Sequence, residues 1–116
     1  MLIHFCKAKI ANATVTEAQL YYEGSITIDE KIIKSAGILP GEKVEVLNVN
    51  NGQRIETYVI AGKAGSGQIC LNGPAARCGF TGDKLIILNY ALIKPQEAKT
   101  LKIKVVYLDA NNQIEN

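Results

Sequence analysis

The Gly24-Ser25 dipeptide carries the two residue types that allow a chain to cut itself and form a ketone. Glycine leaves its carbonyl carbon uncrowded and tolerates unusual backbone angles, and serine places a hydroxyl within reach of that carbonyl. Attack of the Ser25 Oγ on Gly24 would convert the peptide bond into an ester. Elimination across Cα–Cβ of residue 25, tautomerisation and hydrolysis would then leave a pyruvoyl group at a new amino terminus. The products would be chains 1–24 and 25–116.

The same dipeptide also has a structural interpretation. Most Gly-Ser pairs are ordinary turns, and Ser25 could simply begin a strand, Ser25-Ile26-Thr27-Ile28. The dipeptide alone favours the turn. Any chemistry at this position therefore has to be supported by other residues.

A second group of reactive side chains is predicted on one strand. Residues two apart on a strand share a face, so Arg54, Glu56 and Tyr58 should project together. Arginine offers a planar fork for a carboxylate, but a solvated face on which Arg54 pairs with Glu56 is the alternative. Alternation places Thr57 on the opposite face from Tyr58. Both could serve one site only if the strand twists or ends there.

The elements that must position these residues are mostly short strands. Asn51-Gly52 predicts a hairpin, Asp29 is a good N-cap for a helix over 30–36, and Gly37 should stop that helix. One further helical turn is predicted over 95–99. The polar residues of 109–116 predict a mobile tail. Strands are predicted over 7–10, 13–15, 26–28, 44–49, 54–60, 68–71, 84–88 and 101–108. This pattern predicts a mainly β barrel or sandwich, and it does not distinguish the two.

Composition excludes several classes of protein. A length of 116 residues fits a single domain, 1–116. The net charge of +2 contains no run of like sign and so does not favour nucleic acid as a partner. No segment has the roughly 20 apolar residues that would span a membrane, and the amino terminus lacks the pattern of a secretory signal. We expect a soluble, cytoplasmic protein.

The remaining residues argue against the commoner kinds of site. Three cysteines without CxxC spacing favour small buried thiols over disulfides, and with a single histidine, His4, they do not supply a zinc site. The glycine-rich segment 62–67 lacks the GK[ST] that a phosphate loop needs. A Ser-His-Asp hydrolase would have to use His4 as its base, which is a poor arrangement. We expect neither a metal nor a nucleotide.

One family shares these features along nearly the whole chain. From about Lys9 to about Tyr107 the sequence resembles the aspartate 1-decarboxylases, which are pyruvoyl-dependent enzymes that make β-alanine. The positions that carry the resemblance are Lys9, Thr16, Tyr22-Glu23-Gly24-Ser25, Asn48 to Thr57-Tyr58, and Asn72-Gly73. The resemblance implies a double-psi β-barrel with one or two short helices, and a homotetramer whose active sites lie between neighbouring subunits.

The resemblance also implies roles for individual residues. Ser25 would become the pyruvoyl group after cleavage at Gly24-Ser25, and the group would act as the electron sink of the decarboxylation. Tyr58 matches the proton donor, although a half-buried strand tyrosine is the alternative. Thr57 matches a residue that contacts substrate and assists cleavage, and Arg54 matches the carboxylate anchor.

Further positions match residues that line or support the site. Lys9 would add positive charge, although a lone lysine is more often solvated, and Tyr22 would support the scissile loop. The turn Asn72-Gly73-Pro74-Ala75 matches a small-residue turn that lines the site and binds substrate. The chain departs from the family at position 74, where proline offers no N–H, and at position 11, where alanine replaces a frequent histidine.

Two functions are therefore predicted. The first is a self-cleaving decarboxylase that converts L-aspartate to β-alanine and carbon dioxide for pantothenate and coenzyme A biosynthesis. The second is a non-catalytic double-psi barrel, used for binding or assembly, with Gly24-Ser25 as an uncleaved turn. Cleavage of the chain distinguishes them.

Overall fold

A computed structural model describes residues 1–115 of the chain. It contains eight strands, two short α-helices and one 3-10 helix. In chain order these are β1 (Ile3–Thr14), β2 (Glu17–Gln19), β3 (Ser25–Asp29), α1 (Glu30–Ala36), β4 (Lys43–Asn48), β5 (Arg54–Gly62), β6 (Ile69–Asn72), the 3-10 helix (Gly73–Arg77), β7 (Lys84–Ile93), α2 (Pro95–Ala98) and β8 (Lys104–Tyr107). The prediction of a mainly β fold is confirmed.

The strands form one mixed sheet with the order β2-β6-β3-β5-β4-β7-β1-β8. Three pairs are parallel, namely β1 with β8, β2 with β6 and β3 with β5, and the others are antiparallel. Alternate side chains of these strands, among them Ile10, Ile26, Ile28 and Ile87, point to one interior, where they form an aliphatic core with Leu108, which follows β8. The sheet brings β3, β5 and β6 together, and these strands carry five of the predicted site residues, namely Ser25, Arg54, Thr57, Tyr58 and Asn72.

The first strand differs from its prediction. Instead of two short strands over 7–10 and 13–15, β1 is a single strand of 12 residues. Its pairing with β7 is irregular between Cys6 and Ala8 and again between Ile10 and Ala13. Asn12 lies in this second irregularity with φ of 62°, a left-handed conformation that asparagine tolerates better than most residues. The bulge allows β1 to continue between Ile10 and Ala13, where the local sequence pattern predicts an interruption of the strand.

The local turn and helix signals are confirmed. Asp29 caps α1 by accepting a hydrogen bond from the Lys31 backbone N–H at 2.8 Å, and Gly37 ends the helix with φ of 74°. The Asp29 carboxylate also accepts the backbone N–H groups of Gly65 and Gly67. The glycine-rich segment therefore binds a carboxylate of its own chain. The hairpin at Asn51-Gly52 joins β4 to β5, and α2 occupies the predicted helical turn.

The prediction of a loose tail is wrong for residues 109–115. Asn112 is buried, and its side-chain amide donates to Thr14 O and Gly67 O and accepts from Thr14 N, each at 2.8 Å. Leu108 also forms a bridge with Ile114. These bonds join the end of the chain to the end of β1 and to the glycine-rich segment. Asn116 lies outside the described residues.

The three cysteines are free thiols, as predicted, with Cys70 buried and the other two half-buried. No helix within residues 1–115 is both long enough and apolar enough to cross a bilayer.

Candidate active site

The Gly24-Ser25 bond lies where an exposed bend enters a buried strand. Ser25 is the first residue of β3, and its accessible surface is 0% of the maximum. Tyr22, three residues earlier, is 53% exposed. Across the sheet Ser25 pairs with Asn72, the last residue of β6. The serine hydroxyl is thus withdrawn from bulk water, whereas the segment that precedes it stays open.

A small hydrogen-bond network holds the Ser25 hydroxyl. The Asn72 Nδ2 donates to Ser25 Oγ at 3.0 Å and to Thr27 Oγ1 at 2.8 Å. The Cys70 thiol donates to Asn72 Oδ1 at 3.1 Å, and the Ser25 hydroxyl donates to the Glu23 carbonyl at 3.3 Å. Every polar atom of the Asn72 side chain therefore has a partner. Ser25 Oγ accepts a hydrogen bond from an amide that cannot move freely.

Gly73 holds the scissile segment from the other side. Its φ is +64°, and a Cβ at this position would lie 2.5 Å from the Tyr22 carbonyl oxygen and 2.9 Å from the Gly24 nitrogen. Such contacts are too short for any residue with a side chain, so close approach and backbone conformation both require glycine here. A Cβ built on Gly24 would meet only Pro74 Cδ, at 3.5 Å, which is an ordinary contact. The space beside Gly24 is thus bounded by Pro74 and otherwise free.

A cavity of about 340 Å³ opens beside Gly24. Four of the predicted site residues line it, namely Gly24, Thr57, Pro74 and Ala75, and Ile55, Glu56 and Cys78 complete the wall. Its volume is at the lower end of the range for small-molecule sites. The fold therefore brings residues from three distant parts of the sequence to one small cavity at the scissile bond.

Arg54 and Tyr58 lie on the outer face of β5. Alternation along β5 leaves Arg54, Glu56 and Tyr58 exposed and Thr57 half-buried, as predicted. The alternative pairing of Arg54 with Glu56 is wrong. Arg54 Nη1 contacts Glu45 Oε1 at 2.5 Å, and Glu56 pairs instead with Lys43. The reason is the hairpin register, which places β4 carboxylate and ammonium groups beside the β5 side chains.

The single chain does not bring Lys9 or Tyr22 to the cavity. Lys9 is on β1, between Leu88 of β7 and Val105 of β8, and the order of the sheet places β7 and β4 between β1 and β5. Tyr22 borders a separate, open depression with Tyr21 and Glu23. The predicted residues therefore fall into three sets. Some line the Gly24 cavity, Ser25, Asn72 and Gly73 are buried next to the scissile bond, and the others lie on other surfaces.

Comparison with known proteins identifies the family. The family model described as aspartate decarboxylase matches residues 1–115. The chain belongs to the aspartate decarboxylase family.

Several curated relatives, all named aspartate 1-decarboxylase, are similar to nearly the whole of this chain. The protein of Caldicellulosiruptor saccharolyticus is 59% identical, over 98% of this chain and 89% of the relative. The protein of Lactiplantibacillus plantarum is 57% identical over 98% and 88%, and that of Salinibacter ruber is 53% identical over 98% and 78%.

A solved structure identifies the barrel. The crystal structure of the rationally designed protein mkDPBB_sym_86 matches 72% of this chain and 95% of its own, with a TM-score of 0.51 and 17% identity. This match concerns the fold alone, and it confirms the predicted double-psi β-barrel.

Two residues of this aspartate decarboxylase family member were missed by the sequence analysis. Thr27 and Cys70 both contact the Asn72 amide that holds Ser25. Alternation places residues 25 and 27 on one face of β3, and 70 and 72 on one face of β6, so the pattern contained the signal. Burial raises the pKa of the Cys70 thiol, and the negative charge of Glu17 raises it further, so that the sulfur keeps its proton and can donate.

Proposed function

We propose that this member of the aspartate decarboxylase family cuts itself between Gly24 and Ser25 and converts L-aspartate to β-alanine and carbon dioxide. The observation that carries the proposal is the buried Ser25 hydroxyl, held by Asn72 beside a small cavity, in a chain 53–59% identical to proteins named aspartate 1-decarboxylase. The β-alanine would supply pantothenate and coenzyme A biosynthesis. A cytoplasmic location and the absence of nucleic-acid and metal partners stay predictions from the sequence.

Self-cleavage requires Ser25 Oγ to become a nucleophile. When Oγ attacks the Gly24 carbonyl carbon, a C–O bond forms, the C–N bond breaks and the Oγ proton passes to the nitrogen. The Asn72 N–H can stabilise negative charge that develops on Oγ during this step. Thr57 lines the same cavity as Gly24, where its hydroxyl can stabilise the oxygen of the former carbonyl.

The later steps convert residue 25 into the prosthetic group. Elimination removes the Cα proton of residue 25 and breaks the Cβ–Oγ bond, which leaves Oγ on the carboxylate of Gly24 and residue 25 as dehydroalanine. This enamine tautomerises to an imine, and water hydrolyses the imine to a ketone and ammonia. The site fits a pyruvoyl group at position 25, since that position is buried at the start of β3 and adjoins the cavity at Gly24. When present, the group accepts the electrons that the substrate's α-carboxylate leaves behind.

The chain's own residues would orient the substrate and move its proton. Arg54 would bind one carboxylate as a fork, Lys9 would add positive charge, and Tyr58 would deliver a proton to the carbon that loses its carboxylate. The backbone N–H groups of Gly73 and Ala75 can meet a carboxylate, whereas Pro74 has none to offer.

We propose that the working form is a homotetramer in which one active site draws on two subunits. Support comes from the distribution of residues in one chain, because Arg54, Tyr58 and Lys9 do not line the cavity that contains Gly24 and Thr57. A neighbouring subunit could bring the outer face of β5 or β1 to that cavity.

The first experiment asks whether the chain is cut and active. Boiled protein on a denaturing gel should show two fragments that meet between Gly24 and Ser25, and the sample should convert aspartate to β-alanine. The Ser25→Ala variant should remain one chain and be inactive. Borohydride in the presence of L-aspartate should fix the ligand covalently to residue 25 of the 25–116 fragment. An intact wild-type chain after prolonged warming would favour the non-catalytic barrel, and an adduct on Lys9 would exclude a pyruvoyl mechanism.

The second experiment asks whether the site is shared. Arg54→Ala and Ser25→Ala chains are mixed before assembly, so that some sites receive one good residue from each. Recovery of β-alanine formation supports the shared site. No recovery in an oligomer shown to have exchanged chains would place the site within one subunit.

A further inference from the structure

We propose that Cys70 and Thr27 are positioning residues for the Gly24-Ser25 bond and that they act through the side-chain amide of Asn72. The proposal rests on the proposed self-cleavage and goes beyond it. Neither residue touches the scissile bond through a hydrogen bond of its own. Each contacts Asn72 instead, from opposite ends of the amide.

The two ends of a carboxamide have nearly the same shape and opposite hydrogen-bonding character. Which end faces Ser25 is therefore set by the partners, since Oδ1 only accepts and Nδ2 only donates. The Asn72 residue is 2% exposed, so that solvent offers its amide little alternative. A buried polar atom that has no hydrogen-bond partner destabilises the folded state.

Cys70 fixes the orientation from the oxygen end. Its protonated thiol donates to Asn72 Oδ1 at 3.1 Å, whereas a flipped amide would have to donate to the thiol sulfur, which is only a weak acceptor. Thr27 contacts the nitrogen end, where its Oγ1 accepts one Nδ2 hydrogen at 2.8 Å. The remaining hydrogen of Nδ2 must then point at Ser25 Oγ, at 3.0 Å.

The orientation matters because the flipped amide would reverse the hydrogen bond to Ser25. An oxygen of Asn72 facing Oγ would accept the serine proton and would repel negative charge that develops on Oγ. The observed orientation supplies an N–H at that atom before the attack begins. Preorganised donors of this kind lower the barrier without any rearrangement during the reaction.

The test measures the rate of cleavage in variants that remove or keep each hydrogen-bonding group. Chains isolated soon after synthesis are warmed, and the 25–116 fragment is followed by denaturing gel and mass spectrometry. Cys70→Ala and Thr27→Val should each slow cleavage about fivefold to tenfold, which is the effect of losing one buried hydrogen bond. Cys70→Ser and Thr27→Ser keep a hydroxyl and should recover most of the rate. Cys6→Ala, which alters a thiol on β1, is the matched control and should cleave like the wild type.

Thermal unfolding of each variant in the uncut Ser25→Ala background shows whether the fold is intact. If Cys70→Ala does not fold, the inference is tested by comparing the cleavage rates of Thr27→Val and Thr27→Ser. Folded Cys70→Ala and Thr27→Val chains that are cut at the wild-type rate would overturn the inference and leave the proposed function standing. Slow cleavage of Cys70→Ala that Cys70→Ser does not restore would also overturn the inference, because altered packing would then explain the lower rate. A wild-type chain that is never cut would instead refute the proposed function.

Discussion

Replacement of Gly73 by alanine should disturb both the stability of the chain and its cleavage. The left-handed conformation costs a residue with a Cβ about 1–2 kcal/mol. The new Cβ would also lie 2.5 Å from the Tyr22 carbonyl oxygen, and relieving such an overpacked contact costs about 1–3 kcal/mol. For a loss of about 3 kcal/mol in a chain of this length we expect Tm to fall by roughly 10 °C. The displaced Gly24 backbone should slow cleavage by about a hundredfold, as misplacement of reacting groups by about 1 Å can do.

Gly52→Ala is the matched control for this prediction. Gly52 has φ of +75°, and a Cβ there would meet nothing within 4 Å, so only the conformational cost applies. Its Tm should fall by about 4 °C, and its cleavage rate should be unchanged. Stability is measured by thermal unfolding in the uncut Ser25→Ala background, and cleavage is measured by gel with Ser25 present. Equal effects of the two substitutions on both measurements would refute the argument that Gly73 acts through its contact with the scissile segment.

Three further predictions concern other parts of the chain. Arg54→Lys should leave cleavage at Gly24 intact and lose most of the turnover of aspartate, because a point charge replaces a bidentate fork; undiminished decarboxylation would show that Arg54 is not the anchor. Burial alone would raise the pKa of Glu42, but the Leu39 N–H and the Lys7 ammonium outweigh it and hold this pKa below its ordinary value of 4.5. The stability that the ionised Glu42 contributes is present above the unfolded pKa and is lost as pH falls through the folded pKa. Glu42→Gln should therefore flatten the acid dependence of Tm. An equally steep dependence in the variant would contradict this. Asn112→Ala should cost about 2–4 kcal/mol in urea unfolding, since it removes a buried amide with three hydrogen bonds, and a loss below about 0.5 kcal/mol would show that the 109–115 segment does not contribute to the fold.

The features predicted correctly from the sequence are those encoded by neighbouring residues. Asp29 and Gly37 bound α1 because capping and left-handed C-terminal conformations depend on residue type within a few positions. The Asn51-Gly52 hairpin followed from the same kind of local chemistry. Period-two alternation also placed Arg54 and Tyr58 on one face of β5.

The features that were missed depend on pairings across long stretches of sequence. The extent of β1 depends on strands β7 and β8, which no local pattern in 3–14 reveals. Asn112 anchors the end of the chain to Thr14, 98 residues away. At the site, the family resemblance supplied roles for Ser25 and Thr57, whereas the contacts of Cys70 appear only when β3 and β6 are placed side by side.

The position of β1 inside the sheet determines what self-cleavage would do to folding. Residues 1–24 contain β1, which forms backbone pairs with β7 on one side and with β8 on the other. After the cut this piece would remain as an interior strand of a barrel to which it is no longer covalently joined. An uncut Ser25→Ala chain could refold as one molecule, but a denatured cut protein would need two molecules to meet, so that its recovery would depend on concentration. The cut protein would then stay folded because it unfolds slowly, which is kinetic stability. Folding would have to be complete before the bond at Gly24 breaks.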